Sequence, residues 1–192
     1  YLIIDLGENK IMADNTNFWT NAPAADPKRG FRFKVSMSNL GMLWMAKKAD
    51  RPTLSITESK HDYLNHTFYW PARAEWNEVS ITLVDPTNPD IAASLLDFME
   101  QSGYNIPGQP DSNAELSSIS KAGAIGATGT ITVEQINEAG ATLESWYLHN
   151  AWMKEVDFSE LDYSNDDLSE VTVKLRYDWA EFTGGGKQLF RL

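Results

Sequence analysis

The sequence predicts a mainly β domain, an antiparallel barrel or sandwich with one flanking helix at about 88–102 and a long loop at about 104–129. Three observations carry this reading. In Glu170–Trp179, the residues Val171, Val173, Leu175 and Tyr177 alternate with Thr172, Lys174, Arg176 and Asp178. Such a period of two marks a strand with one wet face and one buried face. Two further segments, Trp76–Asp85 and Trp146–Trp152, have the β-branched and aromatic character of partners for that strand. Finally, Ile91, Leu95, Phe98 and Met99 recur at helical spacing, so one segment departs from the β pattern.

The remaining elements follow in chain order. Residues 1–28 read as an arm or lead-in, irregular from Asn15 to Gly30, with Phe18 and Trp19 as its large anchors. Met12 would make a natural start, so residues 1–11 are either upstream sequence or an extended arm. A single domain spans 29–182 and a short tail 183–192. Phe31, Phe33, Val35 and Met37 alternate with Arg32, Lys34, Ser36 and Ser38 as a first strand, and Leu43–Ala46 continues it past the Asn39-Leu40-Gly41 turn. After Arg51-Pro52, Leu54 and Ile56 alternate with hydroxyl residues; His61–Trp70 is aromatic and β-prone, and Pro71 ends it. Val79, Ile81 and Leu83 face inward on the next strand, opposite to Glu78, Ser80 and Thr82. Asn88 caps the helix, with Pro89 in first position and Asp90 complementing the dipole. Gly103 ends it. Tyr104–Gly129 shows no period and reads as loop. Thr130–Asn137 and Thr142–Asn150 form a hairpin about Glu138–Ala141, Ala151–Phe158 follows, and Ser159–Ser169 is an acidic turn region. Trp76, Trp146, Trp152 and Trp179 are expected to be mostly buried. The total is about eight strands and one helix.

Composition narrows the function classes. The 27 acids outnumber the 16 bases for a formal charge of −11, which opposes tight binding of phosphate backbones. There is no cysteine, which excludes disulfides, thiolate metal sites and cysteine nucleophiles. No apolar run approaches a membrane span, and Tyr1–Ile4 is too short to be a signal peptide. His61 and His66 are five apart, so on one strand they face opposite sides and cannot chelate together; His149 has no partner at ligand spacing. The acids Asp157, Glu160, Asp162, Asp166, Asp167 and Glu170 do not follow a calcium loop: counted from Asp157, the sixth position is Asp162 instead of glycine and the twelfth is Leu168 instead of glutamate. Gly123, Gly126 and Gly129 lack the Gly-Lys-Ser or Gly-Lys-Thr of a phosphate loop, and flexibility is the expected role. Neither a catalytic site nor a cofactor is expected, although a pair of carboxylates brought together in space stays open.

A series of segments resembles a known family. Asp26–Val35 (DPKRGFRFKV), Trp76–Asp85, Trp146–Trp152, Leu161–Ser164 and Val171–Trp179, in this order and spacing, resemble the tail tube proteins of contractile-tailed phages of the T-even type. The resemblance covers roughly Asp14–Phe182 and rests on pattern residues rather than on one diagnostic motif. It implies a structural subunit that closes into rings of six, with stacked rings making a hollow conduit for the genome. It also implies sheath, baseplate and tail-terminator partners, DNA transit without tight binding, residence in the virion tail, and assembly in the host cytoplasm. The tube proteins of type VI secretion resemble the family in fold, so a tube subunit of a secretion or injection machine is an alternative. A glycan-binding sandwich, with Trp19, Trp44 and Trp70 as sugar platforms, is a more distant one.

Within the tube reading, a lumen wall should be polar and neutral or acidic. Glu78, Ser80, Thr82, Thr132 and Glu134 are the candidates for it, whereas Thr172, Lys174 and Arg176 suit an outer or inter-subunit surface. Phe18, Trp19, Lys28, Arg29, Arg32, Lys47, Lys48 and Arg51 are the candidates for contacts between subunits.

Overall fold

A computed structural model describes residues 27–42, 44–105, 118–164 and 166–191. Phe18 and Trp19 lie outside the described residues. Twelve strands and two helices run through the described chain: β1 Phe33–Met37, β2 Gly41–Met42, β3 Ala46–Ala49, β4 Leu54–Tyr63, β5 His66–Trp76, β6 Val79–Val84, α1 Ile91–Gln101, α2 Lys121–Thr128, β7 Ile131–Ile136, β8 Thr142–His149, β9 Trp152–Phe158, β10 Glu170–Arg176, β11 Trp179–Gly184 and β12 Lys187–Leu189. The fold is mainly β, and every strand pair is antiparallel.

Two sheets make a sandwich. One has the order β12-β11-β8-β7-β1-β2 and the other β3-β6-β10-β9. Their inner faces share one core, with Val35, Met37, Ile131, Leu148 and Ala180 from the first and Val79, Ile81, Leu83, Val171, Val173 and Leu175 from the second. The alternation that predicted β10 holds throughout: Val171, Val173, Leu175 and Tyr177 are all buried. Burial pushes the Tyr177 phenol up to about 12. Of the two expected partners, β6 pairs with β10 in the register Val173↔Ile81. The Trp146–Trp152 segment divides at Asn150, whose φ of 54° turns the chain from β8 to β9. β8 belongs to the other sheet, and β9 is the second neighbour of β10.

α1 buries Ile91, Leu95 and Phe98 in the shared core, as its spacing requires. Its start differs from expectation. Asp90, not Asn88, is the N-cap: its carboxylate accepts from the Ala93 amide at 2.8 Å. Asp85 Oδ1 accepts from Ile91 and Ala92, so two side chains satisfy the open amides of the first turn.

The 104–129 stretch is not all loop. α2 occupies Lys121–Thr128, capped by Ser120 Oγ, which accepts from the Gly123 amide at 3.0 Å. Its sequence, KAGAIGAT, gives a weak helical signal because glycine is a poor helix former. What favours the helix is close packing. A Cβ on Gly123 would meet the Ser102 carbonyl oxygen at 2.9 Å, so the glycine lets α2 approach the end of α1. A Cβ on Gly129, at φ 70°, would overlap the Ser38 hydroxyl oxygen, at 2.0 Å. These two glycines serve close approach rather than flexibility.

The four tryptophans expected in the core are half-buried at its margin. Trp146 packs on Phe182 at 4.7 Å, and Trp76 on Tyr177 at 6.1 Å and Phe190 at 5.6 Å. Past β10 the chain does not simply trail off. Gly185 and Gly186, at φ 58° and 75°, turn β11 into β12, so Lys187–Leu189 pairs with Phe182–Gly184.

Candidate functional site

β4 and β5 belong to neither sheet of the sandwich. They pair with one another over Leu54–Trp76 as a separate two-stranded ribbon. The sequence explains why it stays apart. Leu54 and Ile56, read as one apolar face, are 40% and 64% exposed, and no run of inward residues continues past them. Pro71 lies within β5 instead of ending it, next to the register shift between Ile56 and Glu58. A proline is tolerated there because this strand has a neighbour on one side only. Near the base, Thr57 Oγ1 accepts from the Arg73 amide at 3.0 Å and donates to the Arg73 carbonyl at 3.1 Å. The tip is a two-residue turn at Leu64-Asn65, with Leu64 at φ 52° and 88% exposed.

The outer half of this arm has two unlike faces. Directly opposed residues of an antiparallel pair share a face. The register Ser59↔Trp70, His61↔Phe68 and Tyr63↔His66 therefore gathers five rings on one side. Phe68 lies 4.6 Å from His66, edge to face, and 6.0 Å from Trp70; His61 lies 6.2 Å from Trp70. Glu58, Lys60 and Asp62 point to the other side with Thr67 and Tyr69, and Thr67 Oγ1 donates to Asp62 at 2.7 Å. The expectation that His61 and His66 face opposite ways is thus corrected. The chain reverses between them, and the reversal restores a common face. Among the described residues no group of three or more histidines and carboxylates is placed to hold a metal.

The other candidates fall in distinct places. Lys28 and Arg51 both bind Glu144, whose side chain is 7% exposed, and Arg51 Nη1 donates to it at 3.1 Å. Burial alone would raise the Glu144 pKa, but the two cations outweigh it and hold the carboxyl below its ordinary value. Lys47 pairs with Glu170, which raises the lysine. Lys48 lies 3.7 Å from Asp50, and Arg32 lies 3.5 Å from Glu138 and over the Phe31 ring. Arg29 accepts a hydrogen bond from the Gln135 side chain through its carbonyl. Lys28, Arg32, Lys47, Lys48 and Arg51 are therefore each paired with an acid within the chain.

The five polar residues expected on one wall divide between two sheets. On β7, Thr132 is itself buried between the buried Ile131 and Val133, and the half-buried Glu134 pairs with Lys34 at 2.9 Å. Glu78 precedes β6, on which Ser80 and Thr82 alternate with the buried Val79, Ile81 and Leu83. That second face also holds the residues assigned to a different surface. Thr82 Oγ1 is 3.2 Å from Thr172 Oγ1, Ser80 opposes Lys174, and Glu78 contacts Lys154 and Arg176. The Lys154 hydrogen bond keeps the Glu78 carboxyl below its ordinary range, and Glu155 keeps Lys174 above its own. Across the other sheet, His149 stacks on Trp179 at 4.7 Å with Nε2 3.3 Å from Glu181, an acidic partner 32 residues distant.

The chain matches no family model and no curated protein sequence. Solved structures do match it in shape. A chain from an extracellular contractile injection system, described as the PVC sheath/tube terminator in its extended state, aligns with a TM-score of 0.62 at 16% identity over 84% of this chain and all of its own length, 100%. The cap that terminates the tube of the anti-feeding prophage aligns at 0.62 and 14%, over 86% and 96% of the two chains. This chain shares its fold with these injection-system chains. A chain from the anti-feeding prophage baseplate agrees, with a TM-score of 0.59 at 12% identity over 83% and 97%. In this fold the β4–β5 arm is the feature that sequence reasoning missed. The signal available was the absence of any continuous inward face from Thr53 to Glu75.

Proposed function

We propose that this chain is a structural subunit of a tube, closing into rings of six that stack into a hollow conduit. The observation that carries the reading is the β4–β5 arm. It places Tyr63, Leu64, Phe68 and Trp70 in water on a ribbon that its own sandwich does not cover. Exposed apolar groups gathered on one face mark a surface used for association. An arm contacting a different part of the next copy makes a heterologous interface, and such interfaces build rings or open stacks. The shared fold of injection-system tube components supports the same reading.

The conduit of a phage tail passes DNA, and an acidic chain suits a wall that must not retain it. Sheath, baseplate and terminator proteins would be its partners in the tail. The similar structures, from an extracellular contractile injection system and the anti-feeding prophage, favour a second setting, the tube of an extracellular injection particle. Electron microscopy of the purified chain tests the common core of both. Hollow tubes or six-membered rings are expected at high concentration, and a strict monomer at every concentration by light scattering overturns the reading.

A further inference from the structure

The outer face of the six-stranded sheet carries a cleft of about 550 Å³ where β11 and β12 meet β8, with Ile125 and Gly129 at the end of α2 as one wall. Alternation on β11 turns Ala180 into the core and Glu181 and Thr183 outward. Tyr147 opposes Glu181 across the β8–β11 pair, and Gln188 opposes Thr183 across β11–β12, so all four share this face. Each group is held in place. His149 Nε2 lies 3.3 Å from one oxygen of Glu181, and the imidazole is itself stacked on Trp179. Arg191 Nη1 donates to Gln188 Oε1 at 2.9 Å, a bond that uses one guanidinium donor and none of the amide's own. Thr183 Oγ1 is buried with no hydrogen-bond partner among the described residues. The Tyr147 ring stands beside these groups, 37% exposed.

We infer that this cleft binds a neutral saccharide, with Tyr147 against the apolar face of a pyranose ring and Glu181, Gln188 and Arg191 on its hydroxyls. The chemistry of the lining selects that class. Glu181 only accepts, Arg191 only donates, and Gln188 does both. A ligand with adjacent hydroxyls, each at once donor and acceptor, can use every one of them. The two formal charges cancel, so the cleft is locally neutral on a chain of net charge −11. An anion would meet Glu181 and a cation would meet Arg191, and each would leave the like-charged group to be covered without a partner. An aromatic ring beside a few placed polar groups is the general make-up of a ligand cleft, and the volume is of ligand size. Trp44 and Trp70, the described tryptophans expected as sugar platforms, do not line the cleft. The inference goes beyond the tube reading and does not depend on it.

The experiment is saturation-transfer NMR with calorimetry on the full chain, using maltose, cellobiose and diacetylchitobiose as probes. At least one of them should bind with millimolar affinity. Tyr147→Ala and Glu181→Gln should each weaken that binding about tenfold, through loss of the ring contact and of a charged acceptor. Tyr147→Phe keeps the ring and should bind as the wild type does. Thermal melts confirm that the variants are folded. Co-sedimentation with insoluble starch, cellulose and chitin tells a polysaccharide chain from a free sugar. No transfer to any of these disaccharides overturns the inference. So does binding that survives both Tyr147→Ala and Glu181→Gln, which would place the sugar elsewhere. Either result leaves the tube reading standing, because assembly is read by microscopy and light scattering and not by sugar binding.

Discussion

Arg51 Nη1 lies 3.1 Å from Glu144 Oε1, joining the segment that leads into the arm to β8 in the opposite sheet. Lys28 reaches the same carboxylate from the described N-terminal end. One nearly covered acid thus ties three separate parts of the chain to one point.

Glu144→Gln should lower the stability of the subunit by about 2 kcal/mol at pH 7, because the hydrogen bonds lost are to charged groups. The cations hold the folded carboxyl below its ordinary pKa. That stability is therefore present above the ordinary carboxylate pKa and is lost as pH falls through the depressed folded value. Urea unfolding at pH 7 and in acid checks both halves. The gap between wild type and variant should narrow in acid, and a constant gap would contradict the linkage.

Two glycines of one short helix should respond oppositely to the same substitution. Gly126 has no atom within 4 Å of an added Cβ, whereas at Gly123 the Cβ would meet Ser102 O at 2.9 Å. Gly126→Ala should stabilise by about 0.5–1 kcal/mol through helix propensity. Gly123→Ala should destabilise by about 1–3 kcal/mol, because α2 must move off α1. Thermal melts of both variants decide it; equal shifts would mean that close packing does not position α2.

Folding and association should separate between Leu175 and Trp70. Leu175 is 0% exposed on β10 and Trp70 is 50% exposed on the arm. Leu175→Ala should cost about 3 kcal/mol of stability. Trp70→Ala should leave the melting curve of the unassembled chain nearly unchanged, yet raise the concentration needed for assembly by tenfold or more. Assembly unaffected by Trp70→Ala would remove the arm from the interface.

Glu78 and Glu134 stand on the outer faces of different sheets, so a channel lined by one face meets one of them. Glu78→Lys and Glu134→Lys, made separately, should give tubes of which one variant retains DNA at low salt and releases it as salt rises. Retention by both, or by neither, would exclude a lumen wall formed by a single sheet face.

The sequence by itself determined the elements whose signal is local. Alternation in β10 and β6 and the helical stripe of α1 each assign an inward face, because side-chain direction repeats every two residues in a strand and about every 3.6 in a helix. Those faces appear in the structure as read, and together they define a β sandwich with a flanking helix. Tertiary structure decided what depends on distant partners. α2 forms from an unpromising sequence because Gly123 lets it close on Ser102. The tryptophans settle at the margin of the core, where large rings meet neighbours such as Phe182 and Phe190 from late in the chain. The polar residues chosen for one wall divide between two, since strand order and not strand pattern says which sheet a strand joins. His61 and His66 share a face because a reversal at Leu64-Asn65 lies between them, and pairing across that turn, rather than their spacing along it, sets their direction.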